Sequence, residues 1–267
     1  MFAQVHTRAL NTLLSFATQM PFDNRELWCD LRALPLAEQK VRLQDAELRA
    51  KLVAIANAEY KGPRVVGVEA RPPDWDWLFV MDSMLGEHPR VADVARERGV
   101  DPVELIIELS LEKDMLQFFR QPVANEFEDD IIEMIKHPHS VPTFSDSGAH
   151  VSQIMDSSLQ THLLAHWVRE REELTLEQAV RQITFDTASH WGMHDRGLIR
   201  KGLNADIVIF DPTEIAPQMP EVLYDLPAGA KRLRQYSQGI QATVVNGEVV
   251  LENNQPTGAL PGRLIRC

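Results

Sequence analysis

The stretch "FSDSGAH", residues 144–150, stands where a strand-forming run, "SVPTFSD" (140–146), gives way to a loop. In a strand-helix-strand arrangement, polar chemistry collects at the carboxyl ends of strands, because loops there carry charged side chains without disturbing the core. Asp146 occupies such an end, with Ser145, Ser147 and Gly148 around it. A carboxylate so placed could ligate a metal and take a proton from a metal-bound water, since the cation lowers the pKa of that water toward neutrality. Asp-Ser-Gly is equally ordinary turn chemistry, so the spacing alone leaves both readings open. His150, four residues on, could orient a substrate or the metal-bound water, or simply be a loop histidine.

Working outward, "FEDDIIEMIKH" (127–137) reads as a helix and "MLQFF" (115–119) as a short apolar strand. "DPVELIIELSLEKD" (101–114) is a marked helix. Asp101 can accept its free amide protons, Pro102 fits the first turn, and Glu104 stands where a capping-box acid would. "RVVGVEA" (64–70) and "WLFVMD" (77–82), separated by Pro72 and Pro73, read as two strands of a small excursion. Before them, residues 9–60 read as a long helical and irregular tract. Val41, Leu43, Leu48, Leu52, Val53 and Ile55 form one apolar stripe that Gly62 and Pro63 end. "MFAQVHTR" (1–8) is β-prone from Phe2 to Val5.

Downstream, residues 159–172 and "TLEQAVRQIT" (175–184) are expected helices, the second with Thr175 and Gln178 set for a capping box. The last third turns to strands: "ADIVIFD" (205–211), then "ATVVNGEVVLE" (242–252), where Asn246-Gly247 between β-branched runs predicts a hairpin.

Other histidine pairs invite a metal reading and are better explained otherwise. His137 and His139 precede their strand and flank a proline, so they read as a loop. His162 and His166 sit one helical turn apart, but Leu163 stands where a zinc-binding helix of this type carries its catalytic Glu, so they read as a helix-face pair. His190 and His194 flank Trp191 and Gly192 at a helix end, where packing or dipole complementation is favoured.

Composition narrows the function classes. A net charge of −12 over 267 residues, with no Lys/Arg-rich block, argues against nucleic acid. Cys29 and Cys267 build neither a disulfide framework nor a zinc finger, and a reducing cytoplasm is the expected compartment. No apolar run approaches the roughly 20 residues that cross a bilayer, and the first residues lack the basic and apolar regions of a signal peptide.

The ordered string "TFSDSGAHV…SLQTHLLAHWVRE…LTLEQAVRQIT…RGLIRKGLNADIVIFDP…DLPAGAKRL…VVNGEVV" resembles the carboxyl-terminal part of the D-aminoacylase (N-acyl-D-amino-acid deacylase) group of the amidohydrolase superfamily. The resemblance runs through most of the chain and is densest from Ser140 onward. It implies an α/β fold: the carboxyl-terminal part of a metal-dependent (β/α)8 hydrolase barrel with a helical insertion, plus a small β-sandwich domain. Residues 1–8 would be barrel strand 7, 9–123 the insertion over the active site, 124–196 the last barrel strand with its helices, and 197–267 the β domain. Asp146 would be zinc ligand and general acid/base, with Ser147 and His150 binding substrate or supporting Asp146. The ligand would be an N-acyl amino acid or related amide, with homo-oligomers a possible assembly.

Two departures from that group matter. Its other metal ligands lie upstream of the region that Met1 matches, which implies that this chain is the back part of a longer enzyme and is inactive alone. The group also holds the substrate carboxylate with an Arg shortly after the strand-8 Asp, and "QIMDSSLQTHLL" (153–164) has none. The competing expectation is a non-enzymatic interaction module derived from such an enzyme.

Overall fold

The computed structural model describes residues 2–61, 74–143, 145, 147–154 and 157–265. "RVVGVEA", Gly62, Pro63, Pro72, Pro73 and Asp146 lie outside these described residues. The chain starts with β1 (Ala3–Gln4) and β2 (Leu10–Leu14), followed by α1 (Glu26–Arg32), α2 (Leu36–Arg42) and α3 (Ala46–Asn57). The apolar stripe expected to form one helix is therefore split. Asp45 explains the break: its side chain accepts from the amides of Glu47 and Leu48 and starts α3 afresh.

Next come β3 (Phe79–Met81), α4 (Val91–Arg98), α5 (Pro102–Glu112), β4 (Phe118–Ala124), α6 (Glu128–Lys136) and β5 (Ser140–Val141). Asp101 caps α5 as expected, accepting from the Val103 amide at 2.8 Å. Glu104 closes no box; its carboxylate lies 3.1 Å from Arg49 Nε on α3, so tertiary pairing wins over the local motif.

β2, β4 and β3 form an antiparallel sheet with β4 in the centre. β2 lies in the tract expected to be helical or irregular, and β3 is a full member of the sheet rather than part of an excursion. Tertiary pairing decides both, because strand preference measures fit to a half-buried surface more than local propensity. Both faces of this sheet are covered. Leu14, Val80 and Phe119 point into the largest apolar cluster, shared with Phe16, Trp28 and the helices α1 to α5. Their neighbours Leu13, Met81 and Phe118 point the other way, into a smaller cluster with Met84. That alternation is the two-residue period of a strand.

β1 and β5 pair in parallel, Ala3 opposite Ser140 and Gln4 opposite Val141, and the Val5 amide extends the ladder to the Val141 carbonyl at 2.9 Å. Both strands therefore leave toward the same end of the molecule. Beyond β5, α7 (Leu159–His162) widens into π-type turns over Leu163–Glu170, and α8 (Leu176–Arg181) carries the predicted Thr175/Gln178 capping box before similar wide turns and α9 (Thr187–His190). The second core cluster joins Val5, Ile131 and Ile135 to Leu163, Leu164 and Trp167.

The remaining strands are β6 (Ile207–Phe210), β7 (Ala216–Pro217), β8 (Glu221–Leu226), β9 (Ala230–Arg234), β10 (Ser237–Gln238), β11 (Ile240–Val245), β12 (Glu248–Glu252) and β13 (Gln255–Pro256). β11 and β12 make the predicted hairpin, with Asn246 and Gly247 at φ 48° and 84°, the left-handed values such a turn requires. Gly239 joins β10 to β11 at φ +78°, and a Cβ there would stand 2.5 Å from the Ile215 amide nitrogen, so the close approach needs glycine. The β8–β9 hairpin forms a two-stranded sheet of its own. Val222 and Leu233 pack on the Leu13, Met81 and Phe118 cluster, and Lys231 Nζ donates to the Thr18 carbonyl.

Candidate functional site

The two parallel strands deliver Thr7 and Arg8 from β1, and Thr143 from β5, to one end of the molecule. There a polar cavity of about 110 Å³ opens between the exit of β1, the β2–β4–β3 sheet, the start of α6 and the π-type turns after α7. Its sheet wall is one face: Asn11 and Leu13 of β2, Met81 of β3 and Arg120 of β4. Arg120 pairs directly with Leu13 on one side and with Phe79 on the other, so a guanidinium occupies the centre of the central strand.

Arg120 is held on three sides. Its Nε donates to His88 Nδ1 at 2.8 Å, its Nη1 donates to Asn11 Oδ1 at 3.2 Å, and its Cζ stands 4.4 Å from the Phe79 ring centroid. Because His88 Nδ1 accepts, its proton sits on Nε2, which donates to the Ser83 carbonyl at 2.9 Å. Burial, with Arg120 beside it, holds His88 below the usual imidazole value, so it stays neutral. Burial and the nearby Arg8 charge bring Arg120 itself down to about 10. Among the described residues no Asp or Glu hydrogen-bonds or ion-pairs with Arg120, and Glu128 acts on it only at longer range.

The opposite wall carries His162 and His166, stacked with ring centroids 5.0 Å apart. His162 is 7% exposed, its Nδ1 has no partner among the described residues, and burial pushes its pKa well below the usual value. Burial alone would also depress His166. Two carboxylates outweigh it: Nδ1 lies 3.1 Å from Glu170 Oε2 and Nε2 lies 3.2 Å from Glu128 Oε1, so the pKa of the ring is raised above the usual imidazole value. The His166 contact in turn lowers the Glu128 pKa.

These imidazoles make stability depend on pH in a defined direction. His88 and His162 have folded values below the ordinary 6.5, so their contribution is full above pH 6.5 and is lost as pH falls through the folded values. His166 has a raised value, so its contribution is full below 6.5 and is lost as pH rises through its folded pKa. Thermal melts from about pH 5 to 8 are expected to show both limbs. His166→Gln should flatten the alkaline limb and leave the acid limb in place.

Of the residues singled out by sequence, Asp146 lies outside the described residues. Ser147 Oγ lies 3.2 Å from Ser145 Oγ. His150 is exposed, and its carbonyl accepts from the amides of Gln153 and Ile154. His137 and His139 lie in the turn before β5, where the His139 ring contacts Phe2. His190 also meets the Phe2 ring, edge-on at 5.3 Å between centroids. Among the described residues no group of three His, Cys, Asp or Glu side chains is placed to hold a metal ion. They do not form a zinc site by themselves. Arg120, His88 and Asn11 were missed by sequence reading. The available signal was an Arg directly following "MLQFF" inside an apolar run, where a charge has to find a purpose or a partner.

A family described as "Amidohydrolase family" matches residues 10–251. N-acyl-D-aspartate deacylase from Alcaligenes xylosoxydans xylosoxydans is 28% identical over 238 residues, covering 88% of this chain and 40% of that protein. N-acyl-D-glutamate deacylase from the same organism is 37% identical over 106 residues, covering 40% of this chain and 20% of its own length. Among solved structures, N-acyl-D-glutamate deacylase from Bordetella bronchiseptica, complexed with zinc and a phosphonate inhibitor, matches 68% of this chain and 36% of its own, at 25% identity and a TM-score of 0.41. The chain thus spans 40% or less of the length of these curated relatives.

Proposed function

The chain belongs to the amidohydrolase family, and on that premise we propose that it is the carboxyl-terminal portion of a metal-dependent hydrolase that deacylates N-acyl-D-amino acids. The observation that carries this reading is the family match over residues 10–251, which takes in "SDSGAH" and the downstream strands in one order. Residues 1–8 and 124–196 would belong to the barrel, 9–123 to the insertion above its mouth, and 197–267 to the β domain. Asp146 would take the proton of the attacking water and pass it to the leaving amine nitrogen, so a single carboxylate serves both transfers. Ser147 and His150 would position Asp146 or the substrate. Zinc, the metal this reading expects, would polarise the amide carbonyl when bound in the complete enzyme. Its remaining donors would come from beyond the described residues of this chain.

A second reading, an interaction module without catalysis, draws on a different observation. An apolar groove of about 900 Å³ runs between α8 with its following turns and the β6–β11 face, and Ile199 on its rim is 87% exposed. One assay separates the two. The protein encoded by the complete gene region is expected to release D-amino acids from N-acetyl-D-amino acids in a zinc-dependent reaction, with the L-enantiomers poor substrates and the 267-residue chain alone inactive. Absence of turnover in the complete protein favours the module; turnover by the chain alone overturns the fragment reading.

A further inference from the structure

Arg120 poses a physical problem that the described residues do not solve. A guanidinium at the centre of a three-stranded sheet is costly to bury unless something compensates its charge. Its described partners are an amide oxygen, a neutral imidazole nitrogen and an aromatic face, none of them charged. Arg8 stands near enough to depress it further. Each neighbour instead fixes its orientation: Nε is tied to His88, Nη1 to Asn11, and Nη2 has no hydrogen bond among the described residues. A rigid, positively charged fork with a free arm, lining a cavity, is how proteins prepare for a planar anion.

The cavity sets the size and character of that anion. Its walls beside Arg120 are apolar, from Leu13, Met81 and Met84. Its volume of about 110 Å³ is somewhat below the roughly 150 Å³ of a cavity known to admit benzene. A carboxylate on a short methylene stem fits these limits; a whole acylated amino acid does not. The acidic residues on the other walls do not forbid an anion. Glu128 faces His166 at 3.2 Å and Arg171 at 3.5 Å, so its charge is already balanced, and Glu126 is exposed to solvent at the rim.

We propose that Arg120, oriented by Asn11 and His88, is a substrate-binding residue that receives the side-chain carboxylate of an acidic N-acyl amino acid, making the enzyme selective for acidic substrates. This assignment rests on the deacylase reading for the identity of the ligand, but not for the existence of the anion subsite. Isothermal titration of the full 267-residue chain with N-acetyl-D-glutamate and N-acetyl-D-glutamine compares a carboxylate with an amide of the same size. The glutamate is expected to bind about tenfold or more tightly, the difference a charged hydrogen bond supplies. Arg120→Gln should erase that preference, and Arg120→Lys should restore part of it. Glutarate has no amide to hydrolyse and is expected to bind in the same Arg120-dependent way even if the complete protein turns out not to be a deacylase. Equal binding of the two acetylated probes to the unaltered chain overturns the proposal, and that comparison needs no variant to fold. So does a preference that survives Arg120→Gln in a chain with an unchanged circular dichroism spectrum, or glutarate that does not bind.

Discussion

Asp146→Asn in the complete enzyme is expected to lower kcat for N-acetyl-D-amino acids by about 10²- to 10⁴-fold, the range that positioned proton transfer contributes. The substitution keeps the size of the side chain and removes its ability to carry a proton. Because this one carboxylate would both accept the proton of the nucleophile and deliver it to the departing nitrogen, its loss removes both transfers at once. Of the two histidines on the cavity wall, His166 is paired with Glu128 and Glu170, which raise its pKa, while His162 is buried with its pKa pushed well below the usual value. The loss should fall on kcat more than on KM, since substrate recognition is assigned to other residues. The measurement is steady-state turnover at fixed zinc, with zinc content checked alongside to separate loss of metal from loss of proton transfer. A variant that retains full metal content and wild-type kcat would remove Asp146 from the chemistry and leave it as turn-forming sequence.

How far the sequence discloses this molecule varies with the physics involved. Local hydrogen-bonding motifs read well. Asp101 caps α5, Thr175 and Gln178 close their box on α8, and Asn246-Gly247 turns the β11–β12 hairpin, because each is decided by atoms within a few residues. Elements decided by distant partners read poorly. β2 shows little alternation on its own, since both its faces are buried: Leu13 enters one cluster and Leu14 another. The split between α2 and α3 was legible in principle from Asp45 and was hidden by the apolar stripe running across it. The pocket was least legible of all. Arg120, His88 and Asn11 lie 32 and 109 residues from one another along the chain at their two contacts, and only strand pairing through β4 brings them together. The motif that drew attention, "SDSGAH", falls within the family match, whereas the charged groups around the cavity carry none of the familiar spacings.

Trp167→Ala is expected to cost about 3–5 kcal/mol of stability, the usual penalty for emptying a large aromatic from a packed site. Trp167 is 1% exposed, within the cluster that joins Val5 to Leu163 and Leu164. Its indole Nε1 donates to the Thr7 carbonyl at 2.6 Å, and Thr7 Oγ1 donates back to the Leu159 carbonyl at 2.8 Å. These two bonds tie the exit of β1 to the helix behind it across more than 150 residues of chain. A penalty of that size is a large share of the roughly 5–15 kcal/mol that holds a domain folded, so the variant is to be read by its denaturation midpoint at low temperature. Trp167→Phe separates the two contributions. It keeps most of the ring packing and strands the buried Thr7 carbonyl, for an expected loss of about 1–3 kcal/mol. If the indole served only as filler, Trp167→Phe would match the parent within experimental error. Because Thr7 directly precedes Arg8 on the cavity wall, the bond also sets where that wall begins, so packing in the second core and the shape of the binding pocket are maintained by the same side chain.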